Sequence, residues 1–194
     1  MDVYHVVLFI HIVTLLVAAG VTAVVKLAIG RRARARTVGD VLDWHGVLMS
    51  ASKLFPICLV AFVLTGSYML SLSGAQWSSA FIVAGLVGVV LLLASGVFLG
   101  TKGKALKQML DAIAKNGADQ PAPKLVAPPL VGALPLVNTG IALAVAFDMV
   151  TKPLSMPVAL GIVGIGIVLG AALSMRGSEV PASAPVSGEA SSSS

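Results

Sequence analysis

Charge is what this chain has least of. Of its 194 residues only 11% are charged, while 57% are hydrophobic, and the mean hydropathy is +0.99. A soluble domain carries about 25% charged residues. So little charge cannot cover a globule in water, and lipid must solvate much of the surface. Cysteine is scarcer still. Cys58 stands alone inside an apolar run, which excludes an internal disulfide. Also missing are a phosphate-cradling glycine loop, a metalloprotease HExxH helix and a nucleophile elbow. No Cys–His or Ser–His–Asp set can be assembled either, so the sequence offers no case for hydrolysis or group transfer and reads as non-enzymatic. The net charge of +5 does not indicate a nucleic-acid partner. Its basic residues sit in short segments between apolar runs, which is the pattern of membrane topology.

What is present is hydrocarbon in long runs. A helix needs about 20 apolar residues to cross a bilayer, and five segments qualify: 3–27, 50–72, 80–100, 129–151 and 154–175. The expected fold is therefore all-α, a polytopic membrane bundle of about five transmembrane helices over residues 1–176. A four-span alternative leaves one of the last two segments half-inserted. The opening "MDVYH" has no basic region before its apolar run, so the first segment reads as a span that stays in the membrane and not as a cleaved signal.

Basic residues fix the expected orientation. Lys26, Arg31, Arg32, Arg34 and Arg36 follow the first span, and Lys102, Lys104, Lys107, Lys115 and Lys124 follow the third. Lys53 and Arg176 fall on the same side, leaving Lys152 as the exception among 13. The positive-inside rule then puts the N-terminus outside and the C-terminus inside a bacterial inner membrane. Residues 104–115, "KALKQMLDAIAK", place Leu106, Met109, Leu110 and Ile113 on one helical face, as expected of a cytoplasmic helix lying on the inner leaflet. The alternative is a partner-docking helix. The low-complexity segment 177–194 reads as a disordered cytoplasmic tail.

Helices in lipid pack through small residues that let backbones approach. Candidates are Gly161, Gly164, Gly166 and Gly170 in the last span, Gly96 and Gly100 in the third, and Gly140, Ala142, Ala144 and Ala146 in the fourth. Packing within one chain is the simpler reading, and a homodimer is the alternative.

Polar residues within a span are expensive and so are functional candidates. The first is His11, in "LFIHIVTLL", about 12 Å below the outer boundary. Thr65 of the antiparallel second span is nearly level with it. A histidine–hydroxyl hydrogen bond between the two spans is one reading, and a b-type haem on a neutral imidazole is the other. No second histidine shares this depth. His5 is about 9 Å higher on the same helix, and His45 lies at the inner end of span two. A second candidate is the outer rim, where His5, Met69, Asp148, Met149 and Met156 all fall near the boundary on four spans. Thioether and imidazole ligands favour Cu(I), whereas methionine also fills gaps for packing alone. Lys53 reads as a snorkelling residue at the start of a span beginning near Leu54. Asn138 reads as a cross-helix hydrogen bonder.

Three stretches carry a family likeness. "LFIHIVTLLVAAGVTA" (8–23) resembles the first span of the copper-resistance-D-like bacterial membrane proteins and their uncharacterised relatives. "FPICLVAFVLTGSYML" (55–70), with Pro56, Thr65 and Gly66, resembles their second span. "NTGIALAVAFDMVTKP" (138–153), ending in Met149, Lys152 and Pro153, is similar to a late span in some relatives. A tryptophan often follows the histidine in that family; here Val17, Ala18, Ala19 and Gly20 stand there. The resemblance implies a multi-span bundle that handles copper or haem on its outer side through His11. The competing expectation is a cofactor-free accessory subunit packed against a larger membrane complex. A small transporter ranks last, because the spans show isolated polar residues and no polar pathway.

Overall fold

The computed structural model describes residues 2–73, 76–123 and 128–176; the tail 177–194 lies outside the described residues. The described residues form six helices: α1 (Val3–Ala33), α2 (Val38–Ser52), α3 (Leu54–Ser73), α4 (Ala80–Ala114), α5 (Pro129–Thr151) and α6 (Met156–Arg176). Among the described residues five stretches are long and apolar enough to cross a membrane: α1, α4, α5, α6 and the stretch Val38–Ser73, whose uncharged, spanning part is α3. The described residues thus form an all-α bundle with five helices that can span a membrane. At 23 and 21 residues, α5 and α6 are each of spanning length.

The packing falls into two groups. α1 lies against α3, while α4, α5 and α6 pack on one another. α2 joins the groups by contacting α1 and α4. Near this joint the first and third connections clasp each other. Val38 N–H donates to Gln120 O (3.0 Å), Gly39 N–H to Ala118 O (2.9 Å) and Ala122 N–H to Arg36 O (2.8 Å). The two most basic connections therefore lie at one end of the bundle. Thr37 and Asp40 form a reciprocal capping box there, which fixes where α2 starts.

The interfacial helix expected at 104–115 does not form as a separate element. Its residues up to Ala114 continue α4 without a break. At 1.5 Å per residue, 35 residues extend about 52 Å, well past a hydrocarbon core of about 30 Å. The apolar face of this extension is partly covered by α2, with Leu110 enclosed and Met109 left exposed. Leu110 is 0% exposed, and Val38, Val41 and His45 of α2 are buried with it. Those α2 positions follow helical spacing, so one face of α2 supplies a small core beyond the apolar spans. Asp40 and Asp43 stay exposed on its other side.

His45 is the polar centre of that core. Its Nε2–H donates to the Gly103 carbonyl of α4 (3.0 Å), and its Nδ1 accepts from the Arg32 guanidinium at the end of α1 (3.1 Å). Arg32 has no proton-accepting capacity, so this pattern selects the neutral Nε2–H tautomer. One imidazole thereby ties three helices together. Burial holds its pKa below the usual imidazole value and the charges of Arg32 and Lys107 act the same way, while the Gly103 bond and Asp111 oppose them. A Cβ on Gly103 would lie 2.8 Å from Met49 Sδ, so the methionine side chain packs directly over the glycine.

Within the other group, α5 and α6 share the most extensive junction. Their backbones touch. A Cβ on Gly140 would overlap the Gly166 carbonyl, and one on Gly166 would lie 2.5 Å from the Gly140 carbonyl. A Cβ on Gly170 would lie 2.6 Å from the Leu136 oxygen. By contrast, Cβ atoms on Gly161, Gly164, Gly96 or Gly100 would meet nothing within 4 Å. On α4 the close approach instead uses Gly85 and Gly88, over which Met149 and Val145 of α5 fold.

Two outcomes follow. Gly166→Val should destabilise the protein in mild detergent by about 3 kcal/mol, through overpacking against backbone, whereas Gly161→Val should leave the melting temperature nearly unchanged. In the unfolded chain His45 takes up a proton near pH 6.5, roughly its ordinary pKa, and the folded state resists this. Stability should therefore fall as pH drops through that value. His45→Gln should flatten the dependence, as read by thermal unfolding across the pH range.

Candidate functional site

The α1–α3 junction brings His11 to Thr65. His11 Nδ1 lies 2.7 Å from Thr65 Oγ1. The hydroxyl also lies 2.6 Å from the Ala61 carbonyl of its own helix, to which it gives its single proton. With the proton on that bond, Thr65 accepts from the imidazole and His11 carries its own proton on Nδ1. That leaves Nε2 with a bare lone pair, and it has no protein partner among the described residues. The ring stands edge-to-face against Phe62, 5.0 Å between centroids, and lies beside Gly66, where a Cβ would meet only Cε1 at 4.0 Å. Imidazole position and tautomer are thus both set by α3. Thr14, one turn further along, bonds back to Ile10 O of its own helix (2.8 Å) and is not part of this site.

The other histidines do not join it. His5 is exposed at the start of α1, 3.6 Å from Asp2 and in edge contact with Tyr4. Both nitrogens of His45 are engaged at the far end of α1. Within one chain no second imidazole therefore approaches His11.

The rim candidates are divided between the two helix groups. His5 and Met69 belong to α1 and α3, whereas Asp148, Met149 and Met156 belong to α5 and α6. His5 is 74% exposed, while Asp148 is 0% exposed with neither carboxylate oxygen hydrogen-bonded among the described residues. Met149 folds over Gly85 of α4, and Met156 packs on a small core of Ala80, Ala84, Ala159 and Val163. These two thioethers fill space between helices. Among the described residues no three His, Cys, Asp or Glu side chains converge on one point.

Asn138 is met by the Ser95 hydroxyl of α4, which donates to its Oδ1 (2.8 Å). This cross-helix bond lies near the middle of α5. Lys53 is exposed and caps the C-terminus of α2 just before α3 begins at Leu54. Pro56 sits in the first turn of α3, where its missing N–H has no intrahelical acceptor to lose.

Sequence reasoning missed the Arg32–His45–Gly103 fork. The signal was available in the spacing of Val38, Val41 and His45, which puts a histidine on the apolar face of α2. No protein-family model matches the chain, and neither the curated proteins nor the solved structures give a match.

The tautomer can be read directly. Nitrogen NMR of the protein in micelles should show His11 with a protonated Nδ1 and an unprotonated Nε2. Thr65→Val, which keeps the shape but removes the acceptor, should abolish that tautomer preference. An Nε2–H tautomer in the unaltered protein would contradict the hydrogen-bond assignment.

Proposed function

We propose that the chain is a non-catalytic bacterial inner-membrane protein, N-terminus outside, whose α1–α3 pair presents His11 as a one-sided imidazole ligand to haem b or copper in the outer half of the bilayer. The observation that carries this reading is the Thr65–His11 bond. Metal-binding histidines characteristically donate their second ring N–H to a nearby acceptor, which fixes the ring and raises the basicity of the ligating nitrogen. His11 has that arrangement, with Nε2 left bare. The likeness of residues 8–23 and 55–70 to the copper-resistance-D-like proteins supports it, since His11, Thr65 and Gly66 all fall in those stretches. The clasped basic connections support the orientation, because they put the excess of Lys and Arg on one side.

This chain supplies one strong ligand. A bound haem or copper ion would complete its coordination from a second copy or with an open position, and would supply one-electron chemistry. The protein's own part is to hold Nε2 unprotonated and to exclude water around the ring. A cofactor-free accessory subunit is the competing reading. It is favoured by the open glycine pair Gly96 and Gly100, where a second helix would find nothing in its way.

Visible spectroscopy and metal analysis of the protein, purified in mild detergent from cofactor-replete cells, separate the two. A Soret band or stoichiometric copper is expected. Either should be lost in His11→Gln and weakened about 10- to 100-fold in affinity in Thr65→Val. A colourless, metal-free preparation overturns the ligand reading in favour of the accessory subunit.

A further inference from the structure

Asp148 has no part in the His11 site, yet it is the most anomalous side chain of the α4–α5–α6 group. It is 0% exposed, and both carboxylate oxygens lack a hydrogen-bond partner among the described residues. Its surroundings follow from its place on α5. Ala144, one turn earlier, packs on Gly166 of α6, and Val145 packs on Gly88 of α4. Asp148 continues that face, between the two neighbouring helices. The facing stretches, residues 80–88 of α4 and 156–163 of α6, contain no titratable side chain. On α5 the next charged group is Lys152, which is exposed; its backbone N–H bonds the Asp148 main-chain oxygen (2.8 Å), not the carboxylate.

An ionised carboxylate in such a place has neither counter-charge nor donor to offset its desolvation. The neutral acid costs far less. An ionisable group kept at this position is a functional candidate by default. We propose that Asp148 is a proton-binding site, a carboxyl carried as the neutral acid and exchanging its proton with the face of the bundle opposite the basic connections. The route is short: Asp148 lies three residues before Thr151, the end of α5, or about 4.5 Å along the axis. Releasing the proton to water at that face leaves a bare carboxylate between α4 and α6, which only hydration can stabilise. Proton loss is thereby coupled to loosening of these three helices.

The test uses the full-length protein in liposomes, treated with dicyclohexylcarbodiimide over a range of pH. The acid O–H adds across the carbodiimide and an acyl shift gives a stable N-acylurea, so the peptide gains the mass of one whole reagent. Labelling is expected at Asp148, falling about tenfold per pH unit once the acid ionises, and absent in Asp148→Asn. Because that variant could misfold, infrared spectra of the unaltered protein with isotope-labelled aspartate give a second reading. One protonated carboxylic-acid band is expected at neutral pH and should vanish in alkali. No labelling at any pH, or no such band, overturns the proposal. Protection by sodium, against choline at constant ionic strength, would overturn it in favour of a cation site.

Discussion

In lipid, helices gain almost nothing from hydrophobicity when they meet, because acyl chains are as apolar as leucine. This constraint shapes every junction in the protein. Each pair of packed helices needs a specific reason to touch, either a polar bond that has no competitor in hydrocarbon or a backbone surface bare enough for close contact. α1 and α3 meet through His11 and Thr65. α4 and α5 share Ser95 and Asn138, together with the bare surfaces of Gly85 and Gly88. α5 and α6 meet backbone to backbone at Gly140 and Gly166. Where water returns, beyond the spans, ordinary burial takes over, and Leu110, Val38 and Val41 form a small conventional core around His45.

The same constraint separates the polar groups by role. His45 and Asn138 have partners that account for their positions, so packing explains them. His11 is half explained: Thr65 uses Nδ1 and leaves Nε2 bare. Asp148 is not explained by packing at all. An orphaned polar atom in a low-dielectric setting is costly. These two residues are therefore where activity is best sought, and they lie in different helix groups with separate chemistry.

Much of this was legible in one dimension. Run lengths and the scarcity of charge gave five spans, and the ends of α5 and α6 fall within two residues of the expected bounds. The level pairing of His11 and Thr65 followed from depth alone, because antiparallel neighbours count residues from opposite ends. Periodicity found the apolar face of 104–115 but not its destination. An amphipathic face looks the same whether lipid or α2 covers it, and Gly100 and Gly103 did not break the helix as punctuation would suggest. The rim of methionines illustrates the opposite failure. Depth placed His5, Met69, Asp148, Met149 and Met156 near one boundary, yet depth says nothing of lateral order.

The sequence by itself determined the solvent, the number of spans and the placement of basic residues in alternate connections, because those depend on composition and length along the chain. Tertiary structure decided which small residues are contacts, choosing Gly140, Gly166 and Gly170 over Gly161 and Gly164. It also decided that α2 joins two helix groups through His45, and that Asp148 is enclosed without a partner. These are lateral facts. They depend on the rotation of each helix about its axis and on which helix stands next to it, and in a solvent of hydrocarbon a linear pattern of apolar residues encodes neither.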